Sequence, residues 1–333
     1  SGGKTYFNVT NWGCLRKTII FRPALGETET YREGDIYNVR ITGLTKGGRP
    51  AEISYSVEFF RLFKPEPVKA GLDEGTYFNS ATVSFSCDTP GARIIYTTDG
   101  SDPRVRGYVY REPVKITEST TFKVVATRYN SYSEVSTFSY KIEPVSDWAE
   151  ADIKKALSAQ LVPPALQGKY KENTTRSDFC KLAVNLLVRV MGKPLNEILK
   201  EKGVTVREDS FSDTSDYEIL AANALGIVKG IGNGLFNPNG MITRQEAAVM
   251  LTRTANVMGI NKPNASPETF VDSNQFAAWA KDGIIFVSSL LDSKTGKKVM
   301  GGVGNNRFSP LESYTREQSI ITMLRLYNVA QSR

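Results

Sequence analysis

The sequence predicts a protein of two parts, an all-β N-terminal half and a mostly α-helical C-terminal half. Up to about residue 142, apolar residues alternate with polar ones in short stretches, as in strands. Beyond residue 143 the apolar residues recur at helical spacing. This second half also repeats one motif, in copies that end in Thr175-Arg176, Thr243-Arg244 and Thr315-Arg316. Such repeats cover their apolar faces by packing on one another, so we expect the three to form one domain.

The first 63 residues contain three predicted strands separated by Gly-rich turns: Lys17–Phe21, Ile36–Thr42 and Ile53–Phe60. Three strands are too few to close a sandwich. We therefore expect residues 1–63 to be the end of a larger β domain; the alternative is a small module that packs on its neighbour. No motif in this segment is strong enough to indicate its family.

A second β module is predicted for residues 64–142, after the proline-rich break Lys64–Pro67. Its predicted strands have the spacing of an immunoglobulin-like antiparallel sandwich: Ala81–Cys87, Ala92–Thr97, Val114–Ile116, Thr121–Ala126 and Val135–Ile142. Asp99 and Asp102 could form a sugar or calcium site. Because Asp-Gly and Asp-Pro dipeptides form tight turns, the sequence favours a turn there.

Residues 65–142 also resemble a known family. The segment Tyr96–Pro103, together with Gly75–Tyr77, Thr89–Gly91, Tyr110 and Pro113, is similar to the chitobiase/β-hexosaminidase C-terminal domain. The resemblance implies a small immunoglobulin-like accessory sandwich. It leaves open that this sandwich is itself a glycan-binding module.

The helical half, residues 143–333, divides into repeats at about 146–192, 211–260 and 270–329. Helices are predicted at Trp148–Ser158, after Thr175-Arg176, and at Ile219–Leu225, Ala247–Val257, Phe276–Val287 and Gln318–Tyr327. Each Thr of the motif is a predicted N-cap, and Glu246 or Gln318 three residues later completes a capping box. Asp292–Lys298 has no counterpart in the second repeat and is predicted to be a polar surface insertion.

Glycine pairs precede the motif in the second and third repeats, at Gly230 and Gly232 and at Gly302 and Gly304. A phosphate-binding glycine loop needs a strand before it and a helix directly after it, and neither is predicted here. We interpret the loops as structural turns. One aromatic residue per repeat, Trp148, Tyr217 and Trp279, is predicted to belong to the core rather than to a sugar platform.

The arginine of each motif lies in the first helical turn, where the helix dipole disfavours a cation. An anion should therefore compensate Arg176, Arg244 and Arg316. That anion is either a ligand or a carboxylate of a neighbouring repeat, and the residues alone do not decide between the two.

These motifs resemble the S-layer homology (SLH) domain of bacterial surface proteins. The second repeat matches at Asp213, Gly230, Gly232, Phe236, Pro238, Thr243, Arg244 and Glu246. The third matches at Asp272, Trp279, Ala280, Gly302, Gly304, Phe308, Pro310, Thr315, Arg316 and Gln318. The first repeat departs from the family, because it lacks the Gly-x-Gly turn and has Ser177-Asp178 in place of Ala-Glu.

The SLH resemblance implies a pseudo-threefold spindle with a groove between adjacent repeats. In the family these grooves hold a secondary cell-wall polysaccharide, typically through a pyruvylated sugar whose carboxylate meets the arginine beside free helix N–H groups. The resemblance thus nominates these polymer-binding residues: Arg176, Arg244, Arg316, Thr243, Thr315, Gly230, Gly232, Gly302 and Gly304.

Composition narrows the function further. The chain has no His, which excludes histidine chemistry, and its Cys14, Cys87 and Cys180 fall in different predicted domains, so no disulfide, metal site or cofactor is expected. The net charge of +7 is spread along the chain, which disfavours nucleic acid, and no apolar run approaches the roughly 18 residues of a membrane span.

The expected function is noncovalent anchoring of an exported protein to the bacterial cell wall, without catalysis. The expected partner is a secondary cell-wall polysaccharide or a polymer linked to peptidoglycan. The alternative is the anchoring end of a surface enzyme that acts on glycans, whose catalytic domain lies before Ser1.

Overall fold

The computed structural model describes residues 64–128 and 131–333, together with the backbone of residues 36–46 and 49–58. In these residues the N-terminal part is rich in β-sheet and the C-terminal part is helical, as predicted. The predicted strand Lys17–Phe21 and Cys14 lie outside the described residues.

Fourteen strands lie in the described part of the chain: β1 (Ile36–Lys46), β2 (Arg49–Glu58), β3 (Lys69–Ala70), β4 (Gly75–Phe78), β5 (Ala81–Val83), β6 (Phe85–Ser86), β7 (Arg93–Thr97), β8 (Tyr108–Val109), β9 (Val114–Ile116), β10 (Thr120–Arg128), β11 (Ser131–Tyr132), β12 (Ser136–Glu143), β13 (Leu291–Asp292) and β14 (Lys297–Lys298). β1 and β2 pair antiparallel. The short strands β3, β4, β8, β11, β13 and β14 were not predicted.

The chain forms two compact units. The first contains the residues up to Gly71, with Ser84–Pro113 and Phe122–Phe138, and the second contains Leu72–Val83, Val114–Thr121 and Ser139–Arg333. Residues of the predicted 64–142 module therefore occur in both units.

In the first unit β7 pairs antiparallel with β10 and β8, and β11 pairs with β10. The Phe85 ring lies among aromatic side chains, 5.2 Å from Phe122 and 5.4 Å from Tyr110 between ring centroids. The predicted strand Ala81–Cys87 is in fact two strands, because β5 pairs with β9 and β6 with β3. At the break between them, the Ser84 carbonyl accepts a hydrogen bond from the Gly71 N–H at 2.9 Å.

The second unit includes strands that pack on its helices. β12 runs parallel to β4, with Glu143 opposite Phe78. The Phe78 ring meets the buried Tyr170 edge to face at 5.5 Å. The Asn79 carboxamide accepts a hydrogen bond from the Val145 N–H at 2.9 Å. β4 is thus attached directly to the first repeat.

The helices in the described residues are α1 (Asp147–Ser158), α2 (Arg176–Met191), α3 (Leu195–Glu201), α4 (Tyr217–Ala224), α5 (Arg244–Val257), α6 (Lys281–Ser288) and α7 (Arg316–Gln331). Six of the seven correspond to predicted helices, whereas the short α3 was not predicted. α6 begins later than the predicted Phe276, because Ser273–Gln275 forms a 3₁₀ turn and Phe276 itself is extended.

A ring of backbone hydrogen bonds joins the three repeats. Thr174 donates to the Tyr314 carbonyl at 2.8 Å, Tyr314 donates to Ile242 at 3.0 Å, and Ile242 donates back to Thr174 at 3.0 Å. Each of these residues directly precedes the N-cap threonine of its repeat. The three repeats are therefore arranged in a closed cycle around one hydrophobic core.

The prediction that one aromatic residue per repeat belongs to the core was wrong. Trp148, Tyr217 and Trp279 are 57%, 53% and 59% exposed, so they are not core residues. On α1 the buried side is formed instead by Ala149, Ile153 and Ala156.

The Asp292–Lys298 segment is only partly the polar surface insertion that we predicted. It forms the hairpin β13–β14, and Lys294 and Lys297 are exposed. Asp292, however, is fully buried, and its carboxylate accepts hydrogen bonds from Thr295 at 2.7 Å and from Asn328 of α7 at 3.0 Å. The hairpin is therefore fixed to α7.

Candidate functional site

One acidic side chain per repeat holds the loop before the Thr-Arg motif. Asp213 accepts hydrogen bonds from the N–H groups of Phe236 and Asn237 at 2.8 and 2.7 Å. Asp272 accepts in the same way from Phe308 and Ser309 at 2.9 and 2.8 Å.

In the first repeat this acid is Glu143, at the end of β12. Its carboxylate accepts a hydrogen bond from the Lys169 N–H at 3.0 Å and lies against Gly168, where a Cβ atom would approach it to 2.7 Å. Sequence reasoning missed Glu143, because it belongs to a strand and the first repeat lacks the glycine turn.

The helix N-termini of α2, α5 and α7 have no free donors at their first two positions. The N–H groups of Arg176, Arg244 and Arg316 donate to Gly240, Glu312 and Glu172 of the neighbouring repeat, at 2.8, 2.9 and 2.9 Å. The next N–H in each helix also donates to a neighbouring repeat. The expectation of free helix N–H groups beside the arginines was therefore wrong.

The threonines act as the predicted N-caps. Thr243 and Thr315 form capping boxes with Glu246 and Gln318, and Thr175 accepts a hydrogen bond from the Asp178 N–H at 3.0 Å. These threonines serve the helices, and none of them lines a cleft described below.

Arg176 is buried and reaches into the second repeat. Its Nε donates to the Phe236 carbonyl at 2.9 Å and its Nη2 donates to Lys229 at 3.2 Å. Its Nη1 forms an ion pair with Glu246 at 2.8 Å. The guanidinium also lies 5.0 Å from the centre of the Phe236 ring. A carboxylate of the next repeat thus neutralises Arg176.

Arg316 makes the corresponding contacts to the first repeat. Its Nη2 forms an ion pair with Asp178 at 2.8 Å and its Nη1 donates to the Gly168 carbonyl at 3.0 Å. Its Nε is buried and has no hydrogen-bond partner among the described residues. Arg316 is therefore also neutralised between repeats.

Arg244 differs from both. Its Nε donates to the Phe308 carbonyl at 2.7 Å and its Nη2 donates to Gly301 at 2.9 Å, and the guanidinium lies 5.2 Å from the centre of the Tyr314 ring. The position that Glu246 occupies relative to Arg176 is taken here by Gln318, whose amide carries no charge. In the described part of the chain no carboxylate forms an ion pair with Arg244.

Burial lowers the pKa of Arg244, because it removes water from the charged guanidinium; the neighbouring Tyr314, Glu312 and Asp272 oppose this effect. Only 4% of the residue is exposed. Arg244 is thus a buried cation whose charge the surrounding repeats do not neutralise by direct pairing, and an anion beside it would be stabilised.

A cleft of about 710 Å³ adjoins Arg244. Its lining includes Trp148, Tyr314, the loop residue Gly302 and Gln318. Trp148 is the second residue of α1 in the first repeat, whereas Arg244 belongs to the second repeat and Tyr314 to the third. The cleft therefore forms only when all three repeats are assembled.

The lining of the cleft also includes basic side chains. The hairpin β13–β14 contributes Lys297 and Lys298, and α7 contributes Arg325. Glu268 also lines the cleft, and its carboxylate accepts a hydrogen bond from the Gly302 N–H at 3.1 Å. Four cationic side chains and one carboxylate thus face the same space.

Of the nine predicted polymer-binding residues, the structure places two in this cleft, Arg244 and Gly302. Gly230 and Gly302 occupy places where a Cβ atom would approach the carbonyls of Leu235 and Arg307 to 2.7 and 2.9 Å. Gly232 and Gly304 have φ angles of +113° and +117°. These four glycines therefore shape the loops, in agreement with the structural-turn interpretation.

Sequence reasoning missed Trp148, Tyr314, Lys297, Lys298 and Arg325 as cleft residues. Trp148 could have been recognised from the helical pattern, because the Ala149, Ile153 and Ala156 stripe of α1 leaves it on another face. The basic residues are far apart in sequence and meet only through the fold.

Outside the cleft, Asp99 and Asp102 have the turn roles that the sequence favoured. Asp99 accepts a hydrogen bond from the Ser101 N–H at 3.0 Å. Asp102 pairs with Arg104, whose side chain and N–H hold the pKa of the carboxyl at about 2. Among the described residues no group of three or more metal-ligating side chains comes together.

Two family models match the chain. The chitobiase/beta-hexosaminidase C-terminal domain matches residues 72–137, and the S-layer homology domain matches residues 210–248, which is the second repeat up to the first turns of α5. Both matches fall where the sequence motifs indicated these families.

Two curated proteins are similar to this chain. "Cell surface glycoprotein 1" of Acetivibrio thermocellus is 26% identical over 179 residues, which cover 51% of this chain and 8% of that protein. "Endoglucanase" of a Bacillus species is 26% identical over 195 residues, which cover 56% of this chain and 18% of that protein. The chain therefore spans less than a fifth of the length of either relative.

The chain thus contains an S-layer homology domain, preceded by a chitobiase/β-hexosaminidase C-terminal domain, and it is a cell-surface protein. In the part of the chain that the structure describes, no helix is long and apolar enough to cross a membrane.

Proposed function

We propose that residues 143–333 are three SLH repeats that hold an exported protein noncovalently on the bacterial cell wall. They do so by binding an anionic secondary cell-wall polysaccharide, whose pyruvylated sugar places a carboxylate against Arg244. The family model covers the second repeat, and the matching cyclic contacts of Arg176, Arg244 and Arg316 support extending the assignment to the first and third.

One observation carries this proposal: the contrast between Arg244 and its two counterparts. Arg176 and Arg316 each pair with a carboxylate of the next repeat, whereas Arg244 has the neutral Gln318 at that position. Arg244, the one of the three arginines that has no carboxylate partner among the described residues, is also the one that adjoins the large cleft. A guanidinium is suited to this task, because its fork of N–H donors matches the two oxygens of a carboxylate.

Trp148 has a supporting role in this proposal. An exposed indole beside a cation offers an apolar face to a sugar ring and an N–H to its hydroxyl groups. Gly302 shapes the loop that lines the same cleft. The remaining predicted residues, including Arg176, Arg316 and the cap threonines, support the site indirectly, by joining the repeats and capping their helices.

Anchoring requires binding and no reaction, so no catalytic group is assigned.

A second candidate function is that the chain is the anchoring end of a surface enzyme that acts on glycans. The similarity to a protein named endoglucanase favours it. The sequence of the parent gene upstream of Ser1 distinguishes the two candidates, because an enzyme requires a catalytic domain there. The β strands of residues 64–142 remain a further candidate for glycan contact.

The test is binding of the purified protein to cell-wall sacculi before and after chemical extraction of the secondary polymer. We expect strong sedimentation with intact sacculi, loss of it after extraction, and competition by the extracted polymer. Equal binding to extracted sacculi would overturn the proposal.

A further inference from the structure

The hairpin β13–β14 gives the third repeat a feature that the second repeat lacks. Lys297 and Lys298 of this hairpin line the cleft beside Arg244, together with Arg325. The hairpin is held rigidly, since Asp292 at its base is fully buried and bonded to Asn328 of α7.

The contacts of these cations leave their charge unneutralised. Lys298 Nζ donates to the Ser266 carbonyl at 2.6 Å, and Arg325 Nη1 donates to the Lys298 carbonyl at 3.1 Å. Arg325 Nε is buried, and no residue in the described part of the chain forms a hydrogen bond with it. Among the described residues none of these three side chains forms an ion pair with a carboxylate, and Glu268 is the one acidic side chain that lines the cleft with them. The lining of the cleft therefore carries a net positive charge.

The cleft is also larger than a single acidic group requires. Its volume of about 710 Å³ lies in the range typical of pockets that bind drug-sized ligands. Arg244, next to Tyr314, presents a planar guanidinium that binds a carboxylate in a fixed geometry. The two lysines have flexible side chains, and their ammonium groups bind anions without a fixed geometry. The two cationic groups therefore suit two different anions on one ligand.

We propose that this cleft binds an oligosaccharide segment with at least two acidic groups, one at Arg244 and a second at Lys297, Lys298 and Arg325. This inference rests on the proposed function and specifies its ligand class. The hairpin insertion is then the element that selects a wall polymer with acidic groups on neighbouring sugars over one with isolated acidic groups.

The experiment compares fragments of the extracted wall polymer, separated by anion exchange into singly and doubly charged fractions. The test variant is K297Q/K298Q, and the control is K262Q/K294Q, which removes two exposed lysines that do not line the cleft. We expect the test variant to lose about tenfold in affinity for the doubly charged fraction and to keep its affinity for the singly charged one. Thermal unfolding checks that both variants are folded.

The inference is overturned if the native protein binds both fractions equally, or if the control loses as much affinity as the test variant. Either result leaves the proposed function intact, because binding at Arg244 is unaffected. If the native protein binds neither fraction, the proposed function itself fails.

Discussion

Arg176 and Glu246 form an ion pair of 2.8 Å that joins the first repeat to the second. Glu246 has a second task, because its other oxygen accepts hydrogen bonds from the N–H and hydroxyl groups of its own N-cap, Thr243. One carboxylate thus caps a helix and neutralises the arginine of the preceding repeat. Gln318 performs the first task for Thr315, at 3.1 Å, but cannot perform the second for Arg244.

This difference predicts the effect of Gln318→Glu. The new carboxylate should still cap α7 and should also pair with Arg244. We expect the free energy of unfolding to rise by about 1 kcal/mol and the affinity for the wall polymer to fall at least tenfold, that is, by about 1.5–3 kcal/mol. Gln331→Glu adds the same charge at the exposed end of α7 and serves as the control. Isothermal titration and thermal unfolding of both variants measure the two effects, and undiminished affinity in Gln318→Glu would refute the site.

Alanine variants of the arginines should separate structural from binding roles. Arg176→Ala leaves Glu246 unpaired at a repeat boundary, so we expect a loss of about 3 kcal/mol in the free energy of unfolding. Arg244→Ala leaves no carboxylate unpaired and should cost only about 1 kcal/mol, while polymer binding falls more than tenfold. Arg244→Lys should not restore binding, because an ammonium lacks the bidentate fork. Equal polymer affinities for Arg244→Ala and the native protein would show that Arg244 does not hold the ligand.

Gly168 should tolerate no side chain. Its φ is +120°, and a Cβ atom there would meet the Glu143 carboxylate at 2.7 Å. Gly232 has nearly the same φ, +113°, but nothing within 4 Å of such a Cβ atom. We expect Gly168→Ala to lower the free energy of unfolding by about 3 kcal/mol and Gly232→Ala by about 1 kcal/mol. Chemical denaturation measures both, and equal losses would mean that the backbone angle alone is responsible.

The contribution of the Asp213 carboxylate to the stability of the fold should depend on pH. The N–H of Phe236, and then that of Asn237, hold the pKa of Asp213 below its ordinary value, although desolvation opposes them. A carboxyl whose pKa is depressed on folding stabilises the protein above its unfolded pKa of about 3.9, and this stabilisation is lost as the pH falls through the folded pKa. The native protein should therefore be more stable than Asp213→Asn at pH 7, and the difference should disappear in strong acid. Melting temperatures of the two proteins between pH 7 and pH 2 test this; a difference that is constant with pH would contradict it.

The sequence predicted best those features that depend on neighbouring residues. The caps at Thr175, Thr243 and Thr315 were confirmed, because a capping box involves residues only three apart. Six of the seven helices and the longer strands of the described residues were also found by their periodicity. The division of Ala81–Cys87 into two strands was missed, because the partners of β5 and β6 lie elsewhere in the chain.

The site was less predictable, because its decisive contacts join distant residues. From the motif alone the three arginines are equivalent, and the resemblance gave Arg316 the same polymer-binding role as Arg244. The two arginines differ because Asp178 pairs with Arg316, whereas the neutral Gln318 takes the equivalent position beside Arg244. Which residue meets which arginine depends on the packing of the repeats. The sequence contained both residues, but only the cyclic packing assigns each acid or amide to the arginine of another repeat.

Glu143 also has a practical consequence for protein engineering. The residue that fixes the first loop of the helical part is the last residue of a β-strand, and that strand pairs in parallel with β4. A fusion tag that starts at residue 143, made to display foreign proteins, would keep Glu143 but would lack β4, including Phe78, and the following residue Asn79. A fragment for attaching foreign proteins to the wall should instead start at or before Leu72, so that it retains β4, the strand that pairs with β12.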